Sequence, residues 1–233
     1  MQEHIWEKEY QNPQLVTLSN EPAQSFKDFV RFLRREQKLE LSNLNILDLG
    51  CGNAKNSFYL SEQGVSNRIV GVEISETALK HAKQLAPNGE FLKQSIGRPL
   101  PFEDAAFHII IDSTSSNSLS ESEREIYLKE IQRLLKPSGY FFLRALCKDG
   151  DKNAQNLIKE FPSKEKDTYI MPDLGLTERV FSKEDLLATY SVFGQPIYLD
   201  KETHYTKFNN KSYKRNFWVG AWRKNLTHRH ELL

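Results

Sequence analysis

A mostly parallel α/β sheet with helices on both faces is the fold class this sequence predicts, and three observations predict it. Short apolar runs alternate with helical patterns from residue 45 to 146, as successive strand–helix–strand units require. The run FHIIID (107–112) is apolar almost throughout, the mark of a strand covered on both sides. The last two strand-like runs, PIYLD and NFWVGAWR (216–223), lie too close together to hold a helix between them. The sheet should therefore finish with an antiparallel strand.

Residues 1–20 are polar with scattered aromatics. Residues 22–38 read as a helix, with Pro22 in its first turn and Phe26, Phe29, Val30 and Leu33 on one face. NILDL (45–49) is the first buried strand, followed by a helix that Gly64 stops. RIVGVEI (68–74) is the second strand; the next helix is capped by Ser75 and turns Ala78, Leu79, Ala82, Leu85 and Ala86 inward. EFLKQ (90–94) is the third strand and FHIIID the fourth. A capping box, Ser120 with Glu123, starts a helix whose stripe is Tyr127, Ile131, Leu134 and Leu135, with Pro137–Gly139 as its stop. YFFLRAL (140–146) is the fifth strand, the polar stretch from 148 to about 180 has no clear periodicity, and a helix runs from Ser182 to Gly194. Right-handed crossovers place the helices on both faces.

The chain has 233 residues and a formal net charge of +1, ordinary values for one soluble domain with additions. Neither nucleic acid nor membrane is favoured by that balance. Two cysteines, Cys51 and Cys147, make no disulfide framework or metal spacing, which suits a reducing compartment. No apolar stretch is long enough to span a bilayer, and the polar N-terminus carries no signal core. A cytoplasmic location is the expectation.

The chemistry gathers at ILDLGCGNAKNS (46–57). A dinucleotide turn reads G-x-G-x-x-G; here Gly50 and Gly52 are present, and Lys55 stands where the third glycine belongs. Two glycines let a ligand approach the backbone closely. Asp48 would repel a pyrophosphate and welcome an amino group. Glu73, at the end of the second strand, can accept hydrogen bonds from both ribose hydroxyls, as acids do in dinucleotide sites. A ligand with a nucleoside at one end and an ammonium at the other meets both demands, and S-adenosylmethionine is such a ligand.

ILDLGCGNAKNS, IVGVEIS, LPFEDAAFHIIIDS and IQRLLKPSGYFFLR resemble, in order and spacing, the signatures of class I S-adenosylmethionine-dependent methyltransferases. The likeness covers residues 44–146 and is nearest to bacterial small-molecule enzymes of the tellurite-resistance type. It implies a Rossmann-like seven-stranded sheet in the order 3-2-1-4-5-7-6 with strand 7 antiparallel. It implies that Asp48, Gly50, Cys51, Gly52 and Asn53 line the methionine part, that Glu73 and Ile74 hold the ribose, and that Asp112 ends strand four beside the reactive methyl. Two positions depart from the pattern: Ser95 stands where an acid usually reads the adenine amino group, leaving Ile96 to supply a backbone contact, and His108 stands where Asp is usual. The implied division is a lid and helix (1–40), a cofactor core (41–146), a substrate-side insertion (147–181) and a sheet-completing segment (182–233).

Each candidate has a plainer reading. Asp112 can serve as a general base or simply hold the following loop. Ser113 and Asn117 lie where an acceptor would approach. Trp6 and Tyr10, four apart, share a face if helical, either as core or as an aromatic lid favourable to a sulfonium. His4, Tyr10 and His204 are other candidate bases, and His108 reads as a core histidine. Asp149, Asp151, Asn153 and Glu160 fall at calcium-loop positions, but Ala154 replaces the needed glycine, so no metal is expected. From residue 201 on, eight Lys and Arg face two Glu and alternate with aromatics. That segment reads as a solvated face over a buried one, as an RNA-binding stripe, or as the place where Arg215 meets an anionic acceptor.

Neither an Asn-Pro-Pro-aromatic sequence after strand four nor a Pro-Cys nucleophile is present, so a small-molecule methyl acceptor leads. A tRNA, rRNA or protein acceptor, and a non-catalytic cofactor-binding protein, stay open.

Overall fold

The computed structural model describes residues 2–16, 18–65, 68–208 and 211–225, excepting the side chains of 206–208 and 211. The alternation seen in the sequence becomes β1 (Asn45–Leu49), α3 (Lys55–Glu62), β2 (Arg68–Glu73), α4 (Glu76–Leu85), β3 (Glu90–Lys93), β4 (Phe107–Ser113), α5 (Glu121–Leu134) and β5 (Leu135–Leu146). Two helices precede it, α1 (Glu3–Gln11) and α2 (Gln24–Arg35). After β5 come α6 (Lys152–Glu160), β6 (Thr168–Ile170), β7 (Thr177–Arg179), α7 (Lys183–Thr189), β8 (Tyr198–Phe208) and β9 (Lys211–Arg223).

Seven strands form one sheet in the order β3-β2-β1-β4-β5-β9-β8. Pairing is parallel from β3 to β5, and β9 alone runs against its neighbours. With the short β6–β7 hairpin set aside, this is the order, with one antiparallel strand, that the sequence predicts. Period-two alternation divides the core. Phe141, Leu143 and Ala145 join Leu47, Ile110, Tyr127, Leu134 and Trp222 on one face. Tyr140 and Phe142 join Ile109, Ile111 and Val219 on the other, under the Phe26, Phe29, Val30 and Leu33 stripe of α2. The Phe29 and Phe142 rings meet at 4.9 Å. Two caps form as the sequence predicts, Ser75 accepting from Ala78 N and Ser120 making a reciprocal box with Glu123, and Ser182 adds a third by accepting from Asp185 N.

Three expectations are corrected. Pro22 lies outside its helix, which begins at Gln24 after an Ala23 N-cap. Helix α5 stops at Leu134, before Pro137; residues 136–139 bulge between the pairs Phe107–Leu135 and Ile109–Tyr140. The stretch from 148 to 180 is structured, with α6 and the β6–β7 hairpin packing Ala154, Tyr169, Met171, Leu176 and Val180 into a separate apolar cluster against Leu146 and Phe217. The calcium-loop pattern falls here on a helix start: Asp151 accepts from Ala154 N at 2.8 Å as its N-cap. Among the described residues no helix is long and apolar enough to cross a membrane.

Candidate active site

Strand β1 ends in a turn anchored to β2, where Gly50 N and Cys51 N both donate to Val72 O, at 2.7 and 3.0 Å. Gly50 and Gly52 have φ of +66° and +56°, which a side chain strains. A Cβ at Gly50 would collide with Ser115, and one at Gly52 would come 2.5 Å from Tyr10 Oη. Ala54 carries a third left-handed turn at φ +64°, so α3 starts at Lys55 in ordinary helical geometry.

Above this turn opens a cavity of about 770 Å³. Gly50, Cys51, Gly52, Asn53, Glu73 and Ile74 line it, with Ser95 and Ile96 beyond β3. Glu73 is buried; its Oε1 accepts from Ile74 N (2.6 Å) and Ser75 N (2.9 Å), and its Oε2 from Gly52 N (3.0 Å). Burial pushes its pKa up, and the three backbone donors oppose the rise. Ser95 Oγ accepts from Gly97 N at 3.2 Å.

Two predicted acids stand behind the wall instead of on it. Asp48 is 1% exposed, with Ser57 Oγ 3.5 Å from its Oδ2. Burial raises its pKa to about 7 against the hydrogen bond from Asn56, and the charge of Asp112 adds to the rise. Asp112 is fully buried and both its oxygens are used: Oδ1 accepts from Ser115 N and Ser115 Oγ (2.9 and 2.5 Å), and Oδ2 from Tyr127 Oη (2.5 Å). The structure thus gives Asp112 the task of holding the loop that carries Ser113 and Asn117 onto the cavity wall.

Helix α1 lies over the turn and brings Trp6 and Tyr10 to the cavity, their ring centroids 6.5 Å apart. It is moored at both rims. Glu7 accepts from Ser75 Oγ (2.7 Å), Thr77 Oγ1 (2.5 Å) and Thr77 N (3.2 Å) at the start of α4. Burial pushes the Glu7 carboxyl up, but these bonds outweigh it and hold its pKa at about 2. Glu3 pairs with Lys93 at 3.1 Å. At the opposite rim the Gln2 amide donates to Ser118 O and Thr177 O and accepts from Thr177 N. Glu9 Oε1 accepts from Gln14, Leu15 and Val16 N, folding the chain so that Leu15 and Val16 join the wall.

The far wall is one face of β5, β9 and β8, presenting Arg144, Leu146, Arg215, Phe217, Glu202 and His204. Arg215 is buried and held by Tyr169 Oη (3.0 Å) and Asp151 (3.5 Å). Of the candidate bases, His4 is exposed and off the cavity, His204 is exposed on its edge, and burial pushes the Tyr10 hydroxyl pKa well up. His108 accepts from Asn45 N at 2.9 Å, a structural role. Alternation predicts that half the aromatics of β9 are buried; instead Phe217, Trp218 and Trp222 all are, because residues 215–222 are covered on both faces, while Tyr205 on β8 is exposed. Arg229 and Glu231 lie outside the described residues, as do the side chains of Lys207, Phe208 and Lys211.

One contributor escaped the sequence reading. Asn56 is 4% exposed, lines the cavity beside Asp48, and leaves its Oδ1 without a partner. A buried acceptor costs stability until a donor reaches it, and an ammonium is such a donor. With its two left-handed glycines, the turn presents bare backbone, this unpaired acceptor and the Glu73 carboxylate to the cavity.

The methyltransferase domain family matches residues 40–209. The chain belongs to it. This is a class I S-adenosylmethionine-dependent methyltransferase domain. It is 30% identical over 115 residues to an uncharacterized methyltransferase of Synechocystis, covering 47% of this chain and 53% of that protein. It is 37% identical over 115 residues to demethylmenaquinone methyltransferase of Lactococcus lactis, 46% and 42%. Against the mouse eEF1A lysine and N-terminal methyltransferase it is 32% identical over 98 residues, 40% and 14%. The matched segment thus spans about half the length, or less, of these curated relatives. A S-adenosylmethionine-dependent methyltransferase of Methanosarcina mazei shares the fold at a TM-score of 0.70 and 22% identity, over 82% of this chain and 96% of that one. So does a Burkholderia thailandensis 1,6-didemethyltoxoflavin N1-methyltransferase, solved with that compound and S-adenosylhomocysteine, at 0.66 and 15%, over 96% and 87%.

Proposed function

We propose that this chain transfers a methyl group from S-adenosylmethionine to a small-molecule acceptor by in-line displacement. The observation that carries the reading is the roofed cavity. Helix α1 and the turn after it partly cover the floor formed by Gly50–Asn53, and the cavity volume of about 770 Å³ falls in the range of roughly 300–1,000 Å³ typical of small-ligand sites. The donor supplies an already activated methyl. Gly50, Gly52 and Asn56 would hold its amino-acid end, with Asp48 behind Asn56 supplying negative charge, Glu73 and Ile74 its ribose, and Ser95 and Ile96 its base. Trp6 and Tyr10, with residues 1–40 acting as lid and helix, would keep water out and offer aromatic faces to the sulfonium. Orientation of the acceptor against the methyl can supply about 7–11 kcal/mol of the barrier reduction, so no buried base is demanded. The likeness to tellurite-resistance-type enzymes belongs to this proposal.

The test is transfer of isotope-labelled methyl into a fractionated cell extract, read by mass spectrometry. Label in a small-molecule fraction is expected. Label in RNA or protein favours the basic C-terminal segment as a docking face, and tight binding of S-adenosylhomocysteine without any transfer favours a non-catalytic role.

A further inference from the structure

Lys55 opens α3 on the cavity wall, and among the described residues no ion pair or hydrogen bond holds its ammonium. Burial and the charge of Arg144 both depress its pKa, with only Asp48 pulling the other way, and Asp48 is itself half protonated near neutral pH. Arg144, 8% exposed, shares one counterion: its Nε donates to Glu202 Oε2 at 2.9 Å, and that oxygen also accepts from Ser25 Oγ at 2.9 Å. The Arg144 guanidinium lies 3.5 Å over the Phe217 ring. Two cations therefore line one cavity, and the carboxylate beside them, Glu202, is bound to Arg144.

The remaining carboxylates of the wall have donors of their own. Glu21 pairs with Lys27, Glu73 takes three backbone N–H groups, Glu123 closes the α5 capping box, and Glu178 accepts from Tyr169 Oη. Arg215, the cation that sequence singles out, is already balanced by Asp151. Nearby, Asn117 is 1% exposed and leaves Nδ2 unpartnered. Lys55 and Asn117 thus offer free donors on this side, next to the apolar surfaces of Phe217, Leu146, Leu15 and Val16.

We infer that the acceptor is an anion with an apolar body, its carboxylate or comparable charge seated between Lys55 and Arg144. This rests on the proposal that a small acceptor enters the cavity. A lysine without a counter-ion, beside an arginine that has only one, in a partly desolvated recess attracts a counter-charge far more strongly than in water, and the apolar strip takes up the rest of the molecule. Selection then works against neutral look-alikes, which leave Lys55 unpaired.

The probes are benzoate and benzamide, matched in shape and different in charge, titrated by ligand-observed NMR into protein saturated with S-adenosylhomocysteine. Benzoate is expected to bind at least about tenfold tighter than benzamide. Lys55→Met should erase the preference while leaving S-adenosylhomocysteine affinity unchanged, and Glu202→Gln, which removes the competing carboxylate, should widen it. Equal binding of the two probes, or a preference that survives in Lys55→Met, overturns the inference. So does a Lys55→Met protein that loses affinity for S-adenosylhomocysteine but not for 5′-methylthioadenosine, because the lysine then serves the cofactor's own carboxylate. Failure of S-adenosylhomocysteine to bind the unaltered protein overturns the proposed function itself, and this inference with it.

Discussion

Replacing Asp48 by asparagine should make the ligand-free protein more stable and the site worse. Burial lifts this carboxyl from its ordinary 3.8 to about 7. The folded state therefore binds a proton that the unfolded state has released, and stability falls as pH rises from about 4 to about 7, levelling off above. At about 1.4 kcal/mol per pH unit, the displacement costs the unliganded fold about 4 kcal/mol at neutral and higher pH. Asparagine keeps the shape and never ionises. The difference in unfolding free energy between Asp48→Asn and the parent should be near zero at about pH 4 and reach about 4 kcal/mol by about pH 8. Urea unfolding at a series of pH values measures it, with the slope m checked to be common to both proteins. Calorimetric titration with S-adenosylhomocysteine should give the opposite ranking, because a cofactor ammonium recovers the cost only if a carboxylate is there to ionise. A stability difference that stays flat across that range refutes the burial argument. An asparagine variant that binds the cofactor product as well as the parent refutes the assignment of Asp48 to the ammonium end.

Glu73→Ala should lose most cofactor affinity by calorimetry, since a charged acceptor for two ribose hydroxyls goes with it; undiminished binding would remove the ribose assignment. Gly50→Ala should destabilise the turn by about 1–3 kcal/mol from the left-handed backbone alone, with more from the Ser115 collision, seen as a lowered urea midpoint. Tyr127→Phe should cost about 1–3 kcal/mol, because the buried Asp112 Oδ2 loses its donor; an unchanged midpoint would mean that the loop holds itself. Deleting residues 1–12 should raise the cofactor dissociation constant while thermal unfolding stays cooperative, and unaltered affinity would show that α1 is no lid.

The sheet order was legible because five strands are short apolar runs punctuated by capped helices, a pattern fixed by local chemistry at Ser75, Ser120 and Ser182. The insertion was not, although its signal was present: Asp151 as an N-cap, then Ala154, Leu157 and Ile158 at helical spacing. Its apolar surface is small, and the acids at its start suggested an ion loop. Sequence placed Gly50, Gly52 and Glu73 well because strand ends dictate where they sit. It could not tell that Asp48 and Asp112 lie behind the cavity wall, Asp48 reaching it only through Asn56, since a residue's depth depends on partners such as Ser57 and Tyr127 that lie 9 and 15 residues away. Asn56 and Arg144 were missed for a related reason. Nothing local distinguishes a polar residue whose partner is absent from one that is satisfied.

The N-terminal helix is fastened on two opposite banks of the cavity, through Glu7 and Glu3 on the nucleoside side and Gln2 on the far side. A helix hinged at one edge can swing; one tied at both must break a fastening before it moves. The three bonds that Glu7 makes also finish the opening turn of α4, so letting go on that bank frays a second helix, whereas letting go of Gln2 does not.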